Sequence, residues 1–314
     1  MKPFRRHSLS TTCLGALALG MAPSLAAETV GSLSLSTAVQ VLSSASLDDD
    51  GADAEFDGTQ FGVGGRVQAV TDRRYVFGAS FNGFIREVEW EGAGIELVDL
   101  DGTPAVVAVP FDRIESATFG LDTRVQLNQR YGVFGGLNVN MTKGVDGFYD
   151  QDGDSDFDDS QFLGGMAGVS YVFNPELIVS VGVAVSEQFA DSTRVLPLLM
   201  VRWQATEELL VETRNGILLT YDLSEEIDFQ FSALWQSETV TIGELASGDV
   251  IGFEDQGFIL GASMDYFVND WLTVTPNLGF SFGREWEFRA ADREITSYDV
   301  DGSLLGGLTL TASW

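Results

Sequence analysis

Apolar and polar side chains alternate one by one along most of this chain. From Gln60 to Thr71 the odd positions Phe61, Val63, Gly65, Val67 and Ala69 are apolar or small, with Gln60, Arg66 and Gln68 between them. Ala117, Phe119, Leu121, Val125 and Leu127 repeat the pattern against Thr118, Asp122, Arg124, Gln126 and Asn128. Tyr131 to Met141, Leu177 to Val185, Ile227 to Trp235 and Leu272 to Phe282 do the same. A period of two is the signature of a strand whose faces meet different media. The runs cover about 11–15 residues. Soluble strands are mostly about 5–6 long, whereas a tilted membrane strand needs about 9–11.

Connections alternate between short and long. Asp72-Arg73-Arg74, Gln129-Arg130, Asn174-Pro175-Glu176, Thr206-Glu207-Glu208, Leu223-Ser224-Glu225 and Val268-Asn269-Asp270 are short. Leu47 to Gly58, Glu91 to Asp112, Gly144 to Ser160, Ile242 to Gln256 and Arg289 to Asp301 read as long, acidic loops. Short periplasmic turns and long external loops are the habit of outer-membrane barrels. Tyr75, Phe77, Tyr131, Tyr171, Phe173, Trp203, Tyr266 and Trp271 flank the short turns, a pattern that predicts an aromatic belt at one membrane interface. Leu304, Gly306, Leu308, Leu310, Ala312 and Trp314 alternate up to a terminal aromatic. This ending resembles the last-strand signal read by the barrel-assembly machinery, carried here by Leu308, Leu310 and Trp314.

Runs beginning near 31, 59, 75, 113, 131, 161, 177, 194, 226, 257, 271 and 302 give twelve strands. Leu209–Arg214 and Ile217–Tyr221 flank Asn215-Gly216, a type I′ hairpin signal, and add two more. With both termini periplasmic the number is even, so twelve to fourteen strands are predicted, fourteen favoured. The predicted fold is all-β, a single closed antiparallel transmembrane barrel. Closure is required because an open sheet edge in lipid leaves backbone groups without partners.

Processing changes the inventory. Lys2, Arg5 and Arg6 precede the short apolar run Thr12–Met21, and small residues follow at Ser24, Ala26 and Ala27. Residues 1–27 therefore read as a cleaved secretory signal peptide and 28–314 as the barrel. With few residues before the first strand, no plug domain is expected. Removing three of the 17 basic residues leaves 14 against 47 acidic ones, a net charge near −33. Such a chain is repelled by phosphate, which excludes nucleic acid as a partner. The lone Cys13 and lone His7 leave with the signal, so a disulfide framework is excluded.

The loss of His7 also bears on catalysis. Outer-membrane phospholipases, lipid A acyl-modifying enzymes and omptin-like proteases draw on imidazole as a base near neutral pH. Without it an enzyme is not expected, and a two-carboxylate glycosidase mechanism survives only on paper. No cofactor is expected beyond Ca or Mg at the acidic loops. There Asp150, Asp152, Asp154, Asp156 and Asp158 alternate, and alternate aspartates can turn several hard oxygens to one cation. The loop departs from the EF-hand pattern, with Ser155 or Phe157 at the sixth position and Gln161 or Leu163 at the twelfth. A plain solvated loop is the alternative.

By parity Arg66, Asp122, Arg124, Arg202, Glu212, Arg214, Asp228 and Asp265 face the lumen. They read either as a charge-selecting constriction or as a ladder of ion pairs filling a narrow barrel.

Three segments, Pro110-Phe111-Asp112-Arg113-Ile114, Phe119-Gly120-Leu121-Asp122 and Phe134-Gly135-Gly136-Leu137-Asn138, resemble a bacterial family of outer-membrane β-barrels known only as a domain of unknown function. Val195-Leu196-Pro197, Arg202-Trp203 and the turn to Leu209 add a second match. The resemblance spans about half the chain and implies location and fold, but no substrate. The function expected is a passive, porin-like channel for small solutes in the bacterial outer membrane, in contact with its lipid and lipopolysaccharide. The alternative is a non-conducting structural or surface-interaction barrel whose acidic loops bind divalent cations or partners.

Overall fold

A computed structural model describes residues 30–49, 52–71, 74–98, 104–147, 160–187, 193–213, 215–244, 250–290 and 293–314. Residues 1–27 lie outside these. The first eight strands are β1 (Val30–Asp49), β2 (Ala52–Thr71), β3 (Tyr75–Val98), β4 (Pro104–Ala108), β5 (Arg113–Gln126), β6 (Tyr131–Val145), β7 (Gln161–Asn174) and β8 (Leu177–Glu187). They are followed by β9 (Thr193–Gln204), β10 (Leu209–Thr213), β11 (Gly216–Asp222), β12 (Ile227–Glu244), β13 (Val250–Asn269), β14 (Leu272–Ala290), β15 (Arg293–Val300) and β16 (Ser303–Ser313).

These strands close into an antiparallel barrel of the outer-membrane type with fourteen positions. β4 pairs only with β3 and stands off the ring. β15 and β16 share one position, interrupted at Asp301 and Gly302, since both lie between β14 and β1. The seam runs from Ser34–Leu42 of β1 to Leu305–Ser313 of β16. Its last rung joins Leu33 and Trp314, which exchange N–H···O bonds of 3.0 and 2.8 Å.

The short turns share one construction. Asn128 Oδ1 accepts from the N–H groups of Arg130 and Tyr131, Asn174 Oδ1 from Glu176 and Leu177, and Asn269 Oδ1 from Trp271 and Leu272, all at 2.7–3.0 Å. Thr206 Oγ1 does the same for Glu208 and Leu209. A short polar side chain that caps its own turn lets two strands reverse with few residues.

On the outer surface Tyr75, Phe77, Tyr131, Phe173, Trp203, Tyr221, Tyr266 and Trp271 are exposed beside these turns. A second aromatic group, Trp235, Phe258 and Phe282, packs ring to ring at 4.7 and 5.7 Å toward the other end. Along β13, Tyr266 and Phe258 are eight residues apart. At about 3.4 Å per residue and a tilt near 40° this is about 20 Å of height, close to the apolar band of a membrane barrel.

Three expectations need correction. Much of the sequence expected to form long loops is strand, because β1 to β3 and β12 to β14 continue past the membrane to as many as 24 residues. The segment Arg289–Asp301 is largely β15. The Asn215-Gly216 hairpin forms, but Thr213 pairs with Ile217, leaving a three-residue turn. Gly216 is not in the left-handed region a type I′ turn requires. Its lack of a side chain instead allows close approach to β12: a Cβ there would lie 1.9 Å from the Ala233 carbonyl oxygen.

Candidate functional site

The barrel interior is layered. Nearest the short turns lies a belt of charge. Arg66 Nη2 of β2 donates to both carboxylate oxygens of Asp122 of β5 at 2.7 and 2.9 Å, passing over β3. Gly78 of β3 makes this possible, since a Cβ there would sit 2.4 Å from Asp122 Oδ1. Arg124, buried two residues along β5, is within electrostatic reach of Asp122, Arg66 and Arg202. Arg202 stands on β9, four strands away, so the belt crosses the lumen. Glu212, almost fully buried, is the cross-strand partner of Arg202. Phe134 projects inward beside this belt and lies against Gly168.

A second group at the same end is built on Asp265, which is 2% exposed. Its carboxylate accepts from Gln230 Nε2 and Thr275 Oγ1, each at 2.6 Å. Asp228 lies opposite it in the β12–β13 register. Of the eight charges read from parity, the structure therefore gathers Arg66, Asp122, Arg124, Arg202 and Glu212 into one belt and pairs Asp228 with Asp265. Arg214 lies outside the described residues, and so do Asp150, Asp152, Asp154, Asp156 and Asp158.

Above the belt is a cavity of about 240 Å³. Small and polar residues such as Ser36, Gly62, Asn82 and Ser232 line it together with larger apolar ones such as Leu42, Phe84 and Leu218. Its ceiling is a ring of paired charges that sequence reading did not single out. Arg284 donates to both oxygens of Asp255 at 2.6 and 3.2 Å, and Arg86 bonds Glu238 at 3.3 Å and Gln60 at 3.0 Å. Arg86 was legible, being on the inward parity that runs from Val76 up β3. Arg284 was not, for a reason found at Gly283.

Gly283, at φ 56°, inserts an extra residue between the Phe258–Phe282 and Gln256–Glu285 rungs. Such a bulge reverses which face alternate side chains occupy. Phe280 and Phe282 below it point to lipid, with Phe282 37% exposed, whereas Trp286 and Phe288 above it are 3% and 1% exposed. Arg284 is turned inward by the same shift.

The rings above the bulge form an apolar cap. Phe56, Trp90, Phe111, Phe253, Trp286 and Phe288 stack or meet edge-on at centroid distances of 4.7 to 6.5 Å. Phe111, expected in a solvated loop, is fully buried. The next residue holds it there: Val88 N–H donates to Asp112 O at 2.8 Å, and Asp112 N–H donates to Val145 O at 3.1 Å. Arg284 lies 5.9 Å from the ring centres of both Phe56 and Trp286, so the charged ceiling also faces the cap. The narrowing is completed by a parallel contact between Thr241 of β12 and Lys143 of β6, which bypasses β7 to β11. The lumen, lined by charges nearer the short turns, is thus apolar at its outer end.

The terminal residues assigned to assembly lie on the outer face, with Leu308, Leu310 and Trp314 exposed beside β1. Among the described residues no group of three or more acidic, His or Cys side chains could hold a metal ion.

No family model matches the chain, and no curated protein matches its sequence. Solved structures do resemble it. An outer-membrane channel from Pseudomonas putida is 12% identical, with a TM-score of 0.45 over 95% of this chain and 100% of that one. A FadL homologue of Pseudomonas aeruginosa is 10% identical, with a TM-score of 0.47 over 90% of each chain. A mutant of the TodX monoaromatic hydrocarbon channel is 11% identical, with a TM-score of 0.40 over 91% of this chain and 90% of that one. The fold assignment rests on this chain's own strand pairing.

Proposed function

We propose that the protein is an outer-membrane passage for small solutes. The observation that carries this reading is the cavity of about 240 Å³ between the charged belt and the aromatic cap. A purely structural barrel would gain stability by filling that space with side chains. Here glycine, serine and asparagine keep it open, a size and lining suited to small molecules. The exposed apolar band meets outer-membrane lipid, with lipopolysaccharide around the acidic outer end. Leu308, Leu310 and Trp314 are the contact offered to the barrel-assembly machinery.

The test is uptake by cells deprived of their general porins and expressing this chain. Solutes graded from a pentose sugar to an apolar naphthylamine dye are offered one at a time. Faster uptake of at least one class, compared with cells lacking the protein, supports a passage. Unchanged rates for every class sink it. The aromatic cap favours a second reading, a non-conducting barrel, and that is the reading left standing by such a result.

A further inference from the structure

Among the described residues the barrel wall is breached at β10 and β11. These strands have five and seven residues, fewer than the roughly 9–11 needed to cross a bilayer. From Asp222 to Gly216 the hairpin climbs six residues, about 15 Å of a band about 25 Å tall. Its tip meets β12 where Trp235 N–H donates to Asn215 O at 2.8 Å. β10 pairs with β9 over Arg202–Gln204 alone among the described residues, and Val201 N–H is taken up by Thr213 Oγ1 at 2.8 Å.

Above the tip β9 continues from Met200 to Thr193, and β12 from Gln236 to Val240, with no strand between them among the described residues. β12 turns away from the gap to meet β6 at Lys143. Arg194 of β9 reaches Glu254 of β13 at 3.5 Å and spans the top. Among the described residues the gap is therefore a framed window in the wall, at membrane depth.

The side chains of β9 fit this position. Val201 directs its N–H toward β10, so Leu199 and Val195 direct theirs, and Pro197 its ring nitrogen, into the window by the strand's period of two. Proline has no N–H to leave unsatisfied there. Val195 and Leu199 are 60% and 62% exposed on the outer face, yet Leu196, Leu198 and Met200 on the inner face are apolar too, with Leu196 43% exposed. A strand between lipid and a watery lumen alternates. One that is apolar on both faces meets an apolar medium on both. The hairpin tip and β12, which frame the window below and on one side, also line the cavity, through Asn215, Gly216, Leu218, Leu234 and Trp235.

We infer that this window is a lateral opening through which small apolar molecules dissolved in the outer leaflet reach the cavity. The inference rests on the passage reading and names its substrate class and route. A polar solute would have to shed its water in hydrocarbon to use this path. Along the axis the cap stands in the way.

The experiment compares three proteins in the porin-deficient cells: the parent, a variant whose β10–β11 hairpin is lengthened by four alternating rungs, and L198D/L234D. Naphthylamine dye and pentose influx are measured separately, and folding is checked by heat-modifiable migration in gels. The dye should enter about tenfold more slowly with either folded variant. Parent-like dye influx in a folded variant overturns the inference, and where the lengthened hairpin fails to fold the double aspartate variant decides. If the parent speeds pentose but not dye, the lateral route is wrong and the passage stands; if it speeds neither, both fall. A dimer that buries Leu199, seen as an L199C variant protected from maleimide, overturns the lateral route as well.

Discussion

Arg66 and Asp122 sit on β2 and β5 and join over the intervening strand, one guanidinium nitrogen holding both carboxylate oxygens at 2.7 and 2.9 Å. The space they use belongs to Gly78, whose absent Cβ would stand 2.7 Å from the arginine nitrogen and 2.4 Å from the aspartate oxygen. Gly78→Val should therefore separate the pair without removing a charge. Breaking a buried pair costs about 3–5 kcal/mol. Urea unfolding in detergent should show that loss, and Gly78→Ala should show a smaller one. Parent-like stability in Gly78→Val would mean that the pair rearranges freely.

The belt that spans the lumen also predicts an electrical effect. Arg124 on β5 and Arg202 on β9 stand four strands apart and feel each other across the lumen, in a belt that also holds Arg66 and the acids Asp122 and Glu212. Neutralising both with Gln, in a barrel whose axis is opened by Phe253→Ala, should raise cation selectivity in planar bilayers. The reversal potential under a salt gradient should shift in the direction of cations. An unmoved potential would remove this belt from the conduction path.

Phe253 sits at the centre of the cap, stacked on Phe111 at 5.1 Å and on Phe288 at 5.3 Å. Phe253→Ala should destabilise the barrel by about 3–5 kcal/mol. It should also open the axial path, seen as larger conductance steps than those of the parent. A stability loss with unchanged conductance would show that the cap is structural only.

At the seam, Trp314 both closes the last rung with Leu33 and presents its ring to lipid. Deleting it removes two backbone hydrogen bonds of about 1 kcal/mol each and the terminal aromatic of the proposed assembly signal. Assembled barrel in the envelope should fall markedly, while refolding in detergent should be weakened only slightly. Equal losses in both would place the effect in the fold and not in recognition.

The strand plan was readable because one face of each strand meets hydrocarbon, which enforces alternation. Twelve predicted starts fall at or near twelve observed strands, and the short β10 and β11 supply the remaining two. Asp122, Arg124, Asp228 and Asp265 were found by parity alone, and the structure buries them inside. Beyond the membrane that rule lapses. Val250–Gln256 and Arg293–Val300 looked like loops because acids interrupt their apolar residues, yet Phe253, Tyr298 and Val300 face a dry interior. At Gly283 one inserted residue reverses the phase, so Trp286 and Phe288 share the even parity of the lipid-facing Phe280 and Phe282 but point inward. Pairing between β6 and β12 links residues almost a hundred positions apart, which no local pattern reveals.

That same junction divides the molecule mechanically. Strands gathered under the aromatic cap are tied to both chain halves, through Phe56 and Phe111 on one side and Phe253 and Trp286 on the other. Strands β7 to β11 are outside this knot and lean mainly on their immediate neighbours. The cylinder is thus cross-braced on one flank and held by neighbour pairing on the other, so bending of its wall should concentrate at the flank where the hairpin stops short.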